Sequence, residues 1–245
     1  MRLATIPERP YDESVSSLGP PVPTNPVQSE RSRARWTVYL LAACLVLDVL
    51  GIGSGLAQRA LLLRILAGEA LSTEDASAND TRHAAIGQLQ FLAFVVTAIA
   101  WLFWLHRSYA NLRLVGTRES RFTPGWAVGY WFIPFVNLVR PYQIVADLWW
   151  RSDLLNGDGT TERRNAPAFV SLWWGSYLVS GIVGRVAMTM ARNAETLDQL
   201  RNLTDVGIAV DALSAIAAWF AIKVVRGIDK RQQGFPALVQ PPVGS

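Results

Sequence analysis

The stretch WTVYLLAACLVLDVLGIGSGLA, residues 36–57, decides the class of this protein. Its 22 residues contain one acidic side chain, Asp48, and no lysine or arginine. As an α-helix it would be roughly 33 Å long, which matches the hydrocarbon core of a bilayer. It is too long for the apolar core of a secretory signal. We therefore expect a membrane-spanning helix that stays attached to the chain.

Three further stretches, 86–105, 168–191 and 204–225, are also apolar over about the length of a span. Charged residues make up only 17% of the chain, against about 25% in soluble domains. The sequence therefore predicts an all-α membrane protein with four transmembrane helices.

The segments between and outside these spans are polar. Residues 58–85 are expected to form a loop with a short amphipathic start. The ends, 1–35 and 233–245, contain many prolines and no apolar period, so we expect disordered tails around a membrane domain at 36–232.

The segment TPGWAVGYWFIPFVNLVRPYQ, residues 123–143, leaves the number of spans open. Its apolar part, 124–139, is short and is interrupted by Pro134, which breaks helices. If it does not cross the membrane, seventeen basic residues lie on one side and five on the other. If it crosses, each side has eleven. The positive-inside rule favours the first arrangement, with both termini cytoplasmic and a re-entrant or interfacial segment.

A short helix and an interfacial helix are predicted around this segment. Thr123 can cap a helix that begins at Pro124. After the segment, polar side chains spaced three and four apart form one helical stripe, with apolar residues opposite. This pattern predicts a helix over 141–154 in the plane of the membrane. The stripe would face solvent or a lipid headgroup; its members are Arg140, Gln143, Asp147 and Arg151.

Three ionisable residues lie within the predicted spans, namely Asp48, Arg185 and Asp211. Such residues are costly in a bilayer and usually form pairs or line water. Arg185 and Asp211 are expected at similar depth. Our hypothesis is an Arg185–Asp211 ion pair with Asp48 nearby, which would either fix helix register or belong to a proton or ion path.

Other features limit the chemistry. Gly51 and Gly55 are four apart, a spacing typical of close helix contact within a chain or between subunits. The single cysteine, Cys44, excludes an intrachain disulfide, and two distant histidines do not predict a metal site. Basic residues flank the spans, so nucleic acid is not an expected partner. No catalytic or cofactor motif occurs, which makes an enzyme the less favoured interpretation.

Three quoted stretches carry a family resemblance: WLFWLHRSYANLRLVG at 101–116, FTPGWAVGYWFIPFVNLVRPYQIVADLWWRS at 122–152 and SLWWGSYLVSGIVGRVA at 171–187. Together they resemble a bacterial family of membrane proteins, domain of unknown function 4328. The resemblance covers about 36–232 and implies a multi-pass inner-membrane protein, with no known activity or ligand. The sequence DLWW, where relatives often have ELW, is a small departure. Matching positions include Trp104, Arg107, Asn111, Gly125, Trp126, Gly129, Trp131, Pro134, Asn137, Pro141 and Trp149.

Three functions remain open. The first is a scaffold, sensor or assembly component that contacts another protein or a second copy. The second is a transport element for a proton or small solute that uses Asp48, Arg185 and Asp211. The third is a protein that binds or modifies anionic lipid headgroups at the cytoplasmic face. No catalytic residue, metal or cofactor is assigned. The candidate cytoplasmic-face site comprises Trp104, Arg107, Asn111, Trp126, Trp131, Pro134, Asn137, Arg140, Asp147 and Arg151.

Overall fold

The computed structural model describes residues 28–114, 121–154 and 166–233, and the regular structure in these ranges is helical throughout. The expected tails at 1–27 and 234–245 lie outside the described residues, as do 115–120 and 155–165. The helices are α1 (Gln28–Leu66), α2 (Thr73–Leu114), α3 (Pro124–Gly129), α4 (Arg140–Leu154), α5 (Ala168–Arg192) and α6 (Leu197–Gln232). A single 3-10 turn at Val136–Leu138 precedes α4.

Within the described residues, three helical stretches are long and apolar enough to cross a membrane, and they indicate a multi-pass membrane protein. They are Ser32–Leu66, Thr73–Arg113 and Leu197–Gln232. The stretch expected as a third span coincides with α5, which has 25 residues. Helix α5 is not among the three stretches, and it contains Trp173, Trp174 and Arg185.

The long helices exceed the thickness of a bilayer. Helices α1, α2 and α6 have 39, 42 and 36 residues. At 1.5 Å per residue each is roughly 54 to 63 Å long, about twice the hydrocarbon core. The helices therefore extend well beyond the apolar stretches that the sequence identifies.

The prediction of a loop over residues 58–85 is wrong, because most of these residues are helical. Helix α1 continues to Leu66, where Gly68 (φ 86°) ends it and donates its N–H to the Ile65 carbonyl over 3.0 Å. Helix α2 starts after Ser72, whose Oγ accepts from the Asp75 N–H at 3.1 Å. At its other end α1 begins at Gln28, inside the segment expected to be a disordered tail.

The four long helices pack side by side in the order α2, α1, α6, α5. Helix α6 has extensive contacts with both α1 and α5, and α1 also packs against α2. Gly55 lies against Ile208 of α6, so this glycine pair makes contact within the chain. Helices α2 and α5 approach each other through the rings of Trp101 and Trp173, whose centroids are 5.1 Å apart.

The Trp/Pro-rich segment, residues 123–143, is folded but is not one continuous helix. As predicted, Thr123 caps α3, with its side chain accepting from the Trp126 N–H at 3.2 Å. After α3 the chain turns, and Phe135 adopts φ 62°, a conformation that is costly for a residue with a Cβ. The Phe135 side chain is 83% exposed. Helix α3 packs against α2, and α4 contacts α6, α5 and α2.

Candidate functional site

A cavity of about 500 Å³ lies among α1, α2, α5 and α6. This volume is within the usual range for small-molecule sites. The walls are mostly apolar or aromatic. Its polar lining consists of Cys44, Asp48, Gln90, Thr97, Tyr177, Ser180, Asp211 and Ser214.

One end of the cavity, which we term the carboxylate end, is formed by Asp48, Gln90 and Asp211. The Gln90 Nε2 atom lies 3.0 Å from Asp211 Oδ1 and 3.4 Å from Asp48 Oδ1. It also lies 3.3 Å from the carbonyl oxygen of Leu47. An amide NH₂ has only two hydrogens, so one neutral side chain serves both acidic groups and a backbone oxygen.

Gly51 allows this close approach of three helices. A Cβ at this position would lie 2.7 Å from Gln90 Nε2 and would overlap the Asp211 carboxylate. Such short contacts are not compatible with a well-packed interior. The first glycine of the Gly51/Gly55 pair thus has a specific role: it lets the Asp211 carboxylate and the Gln90 amide reach the α1 backbone.

The prediction of an ion pair between Arg185 and Asp211 is wrong. The ion pairs of the described residues do not include it. Arg185 is exposed on α5, whereas Asp211 points towards Gln90 and Gly51. At 3.6 residues per turn, Arg185 lies well away from the face of α5 on which Ser180 lines the cavity.

The opposite end of the cavity is an aromatic layer, by which we mean Trp101, Trp104, Trp131, Trp173 and Trp174. The ring centroids of Trp101 and Trp104 are 5.0 Å apart, and those of Trp131 and Trp174 are 5.7 Å apart. These distances are typical of packed aromatic pairs. Trp101, Trp131 and Trp173 also line the cavity. The layer thus forms a continuous aromatic floor made by α2, α5 and the segment after α3.

Some of the buried polar atoms in and next to the aromatic layer form hydrogen bonds and others do not. The Trp174 indole N–H donates to the Leu138 carbonyl oxygen over 2.8 Å. The buried indole nitrogens of Trp101, Trp104 and Trp131 have no hydrogen-bond partner in the described part of the chain. Both polar side-chain atoms of Asn111, which is 1% exposed, also lack one. Each such group costs about 1 to 3 kcal/mol of stability.

Cys44 gives the cavity a native chemical reporter. Its Sγ atom lies 3.2 Å from Thr97 Oγ1, between the carboxylate end and the aromatic layer. It is the single cysteine of the chain. A thiol reagent that reacts with this protein therefore reports on the cavity alone.

The polar stripe of α4 makes contacts within the protein. Arg151 Nε lies 3.0 Å from Asp147 Oδ2, and these side chains are only 13% and 9% exposed. The Tyr109 hydroxyl donates to the Ile144 carbonyl over 2.7 Å and lies 3.3 Å from Asp147 Oδ2. Arg140 donates to Gln143 over 3.1 Å.

The other members of the candidate cytoplasmic-face site differ in exposure. Trp104 and Asn111 are buried on α2, and Arg107 is half-buried between them. Trp131 belongs to the aromatic layer. Three others belong to the Trp/Pro-rich segment. Trp126 and Pro134 are exposed, and Asn137 is half-buried.

Residues 67–230 match the model of a family described as "Domain of unknown function (DUF4328)". The chain belongs to this family. The match covers α2 to α6 almost completely, and so includes Gln90, Asp211 and the aromatic layer of this DUF4328 protein. No curated protein and no solved structure matches the chain. Among the described residues of this DUF4328 member, no group of three histidine, cysteine or acidic side chains could hold a metal ion.

Sequence reasoning missed Gln90, which links the two carboxylates. The only available signal was its position: Gln88 and Gln90 are both polar residues in the apolar stretch 86–105. Gln88 is exposed and Gln90 is half-buried. The sequence alone gives no rotation of α2 that would distinguish them.

Proposed function

We propose that this protein binds a small solute within the membrane and carries it across. The observation that supports this most strongly is the cavity of about 500 Å³ with two carboxylates at one end. Acidic groups in a span usually pair with a basic group or line a polar path. A scaffold would need neither a cavity nor acidic groups without a basic partner, so the geometry favours transport over a purely structural role.

The proposed topology has four spans with α5 as the third, and both termini in the cytoplasm of a bacterial cell with the protein in its inner membrane. Helix α5 has 25 residues and is roughly 38 Å long, enough for a span. Seventeen basic residues then lie on the cytoplasmic side and five on the other. The segment 124–139 would be re-entrant or interfacial below the cavity.

The aromatic layer would act as the closed barrier on the cytoplasmic side of the site. A carrier needs a site near the middle of the membrane and a barrier that opens on each side in turn. Trp101 and Trp131 pack across the cavity floor with ring centroids 6.3 Å apart. Their buried indole N–H groups lack partners in this arrangement of the described residues, which favours a second arrangement in which water reaches them.

Cysteine labelling tests the proposal without knowledge of the solute. The native protein is reconstituted into oriented proteoliposomes, and a charged, membrane-impermeant maleimide is added outside or trapped inside. A carrier exposes its cavity to both sides in turn, so we expect Cys44 to react in both experiments. The matched control is Cys44→Ser with Val46→Cys, since Val46 lies on the same helix at similar depth but is 55% exposed outside the cavity. A cysteine there faces lipid and should not react with the charged reagent.

The alternatives give different patterns. Labelling from one side only would contradict carriage and leave a binding protein. Labelling from neither side would reject an aqueous cavity and support the scaffold hypothesis. Equal labelling of the control cysteine would mean that depth alone, and no cavity, determines the reaction.

A further inference from the structure

We infer that the solute is a lipophilic organic cation, bound with its charge at Asp48 and Asp211 and its apolar body against the aromatic wall. This inference rests on the proposed function and names the chemical class of its solute. It follows from the charge, shape and surface of the two ends of the cavity.

In the part of the chain that the structure describes, neither acidic group at the carboxylate end has a basic partner. The ion pairs of the described residues include neither Asp48 nor Asp211. None of the described residues that line the cavity is basic. The His83 ring lies 3.5 Å from the Ser54 hydroxyl and does not line the cavity. A cationic ligand would supply the charge that two acidic groups in a medium of low dielectric constant require.

The Gln90 amide does not engage every oxygen of the two carboxylates. Its Nε2 atom approaches only one oxygen of each carboxylate, Asp48 Oδ1 and Asp211 Oδ1. The second oxygen of each is not taken up by this amide. Asp211 Oδ2 packs against Gly51, but both acidic side chains line the cavity, so a cation in the cavity would reach them from that side.

The remaining wall fits an organic rather than an inorganic cation. Phe91, Phe94, Trp101, Trp173 and Tyr177 line the cavity and contribute ring surface. Aromatic faces attract organic cations and pack against apolar groups. Ions such as Ca²⁺ or Mg²⁺ require about six oxygen ligands at short distance, and the volume is far larger than such a site. An organic anion would be repelled by the two carboxylates.

The test uses two probes of similar shape and opposite charge, tetraphenylphosphonium and tetraphenylborate. Binding to the full chain in lipid nanodiscs is measured by isothermal titration calorimetry and by protection of Cys44 from a small neutral maleimide. We expect the phosphonium to bind and protect Cys44, and the borate to do neither. Asp48→Asn and Asp211→Asn should each weaken phosphonium binding about tenfold or more.

The control variant is Asp205→Asn. Asp205 lies on the same helix as Asp211 but forms an exposed ion pair with Arg59 at 2.8 Å, outside the cavity. Its substitution should leave phosphonium binding unchanged. Thermal unfolding of each variant confirms folding, which we expect to be retained because asparagine has nearly the same shape as aspartate and carries no charge. Should either asparagine variant fail to fold, the comparison of the two probes on the native protein still decides, because equal protection of Cys44 by both probes overturns the cation class.

The outcomes separate this inference from the proposed function. Equal binding of the two probes, or phosphonium binding unaffected by the asparagine variants, overturns the cation class. If Cys44 is labelled from both sides but the phosphonium does not bind, the cation class fails and carriage stands. If the phosphonium binds and Cys44 is labelled from one side only, the cation site stands and carriage fails.

Discussion

The two ends of the cavity are built on different principles. At the carboxylate end, three helices contribute one side chain each, and the Gln90 amide lies within 3.4 Å of both acidic groups. At the aromatic layer, five rings fill the space by packing, and the indole N–H groups of Trp101 and Trp131 have no partner in the described residues. One end is therefore specified by charge and hydrogen bonds, and the other by shape.

This difference suggests distinct roles for the two ends. A polar cluster fixed by hydrogen bonds and a close glycine contact tolerates little movement, because any shift separates its donors from its acceptors. A layer held by ring packing can rearrange more easily, since dispersion contacts are not directional. We expect the carboxylate end to be the rigid part of the cavity and the aromatic layer to be the part that moves. The predictions below test this contrast, from the largest expected effect to the smallest.

Substitution of Gly51 should be the most damaging small change at the carboxylate end. In Gly51→Ala the new Cβ would lie 2.7 Å from Gln90 Nε2 and overlap Asp211. We expect the free energy of unfolding to fall by about 1 to 3 kcal/mol. The measurement is a titration with sodium dodecyl sulfate in mixed micelles, followed by tryptophan fluorescence.

The matched control for this substitution is Gly53→Ala. Nothing lies within 4 Å of a Cβ at Gly53, so the better helix propensity of alanine should raise stability by up to about 1 kcal/mol. The same change in both variants would contradict the close contact of α1 with α6 at Gly51.

Removing the unpartnered amide beyond the aromatic layer should stabilise the protein. Asn111→Leu replaces two buried polar atoms that lack partners with an apolar group of similar size. We expect the free energy of unfolding to rise by about 1 to 3 kcal/mol in the same titration. Asn79 is the control, because its Oδ1 accepts from Arg82 at 2.6 Å, and Asn79→Leu should lower stability. A loss of stability in Asn111→Leu would mean that a ligand or water satisfies the amide.

The hydrogen bond of Trp174 should have a smaller effect on stability. Comparison of two tryptophan-to-phenylalanine variants isolates this effect. Trp174→Phe and Trp131→Phe remove the same atoms from the aromatic layer, but only Trp174 donates a hydrogen bond, to Leu138. We expect Trp174→Phe to be less stable than Trp131→Phe by about 0.5 to 1.5 kcal/mol. The difference in unfolding midpoints between the two variants measures it. No difference would indicate that packing alone holds this layer.

The ion pair between Arg59 and Asp205 should contribute least. Its side chains are 43% and 44% exposed, so solvent screens the interaction. Arg59→Gln is expected to change the free energy of unfolding by less than about 1 kcal/mol, and added salt should reduce even that difference. A larger loss of stability that does not depend on salt would mean that the pair is shielded from water. It could then no longer serve as the exposed ion pair with which the carboxylate end is compared.

The sequence predicted where the apolar helical stretches lie, because a run of about twenty apolar residues is a clear signal, and three of the four lie in helices long and apolar enough to cross a membrane. Each apolar stretch, for instance 36–57 in α1, falls inside a helix. It did not predict where helices end. Residues 73–85 are polar enough for a loop but contain several alanines, and residues 58–66 are rich in leucine, alanine and arginine, which are good helix formers. Hydropathy indicates which residues can lie in the bilayer. Helix ends depend instead on local signals such as Gly68 and Ser72.

The candidate site was predictable only in part. The cost of a charge in a membrane identified Asp48 and Asp211 from the sequence, and the structure places both beside Gln90. The pairing with Arg185 failed because equal depth does not mean facing orientation. The face of α5 that turns inward depends on how Trp173 and Trp174 pack against Trp101 and Trp131. A single sequence does not specify that rotation.

The length of the helices offers a way to control the cavity from outside the membrane. The hairpin between α1 and α2, around Leu66 and Thr73, lies beyond the apolar sequence stretches 36–57 and 86–105 of the two helices that carry Asp48 and Gln90. Because a helix is stiff, a tilt imposed at one end also moves the residues at the other end. An antibody fragment or designed binder that holds this hairpin in one orientation would fix the separation of the two side chains. Such a reagent could trap the protein in one state without entering the bilayer.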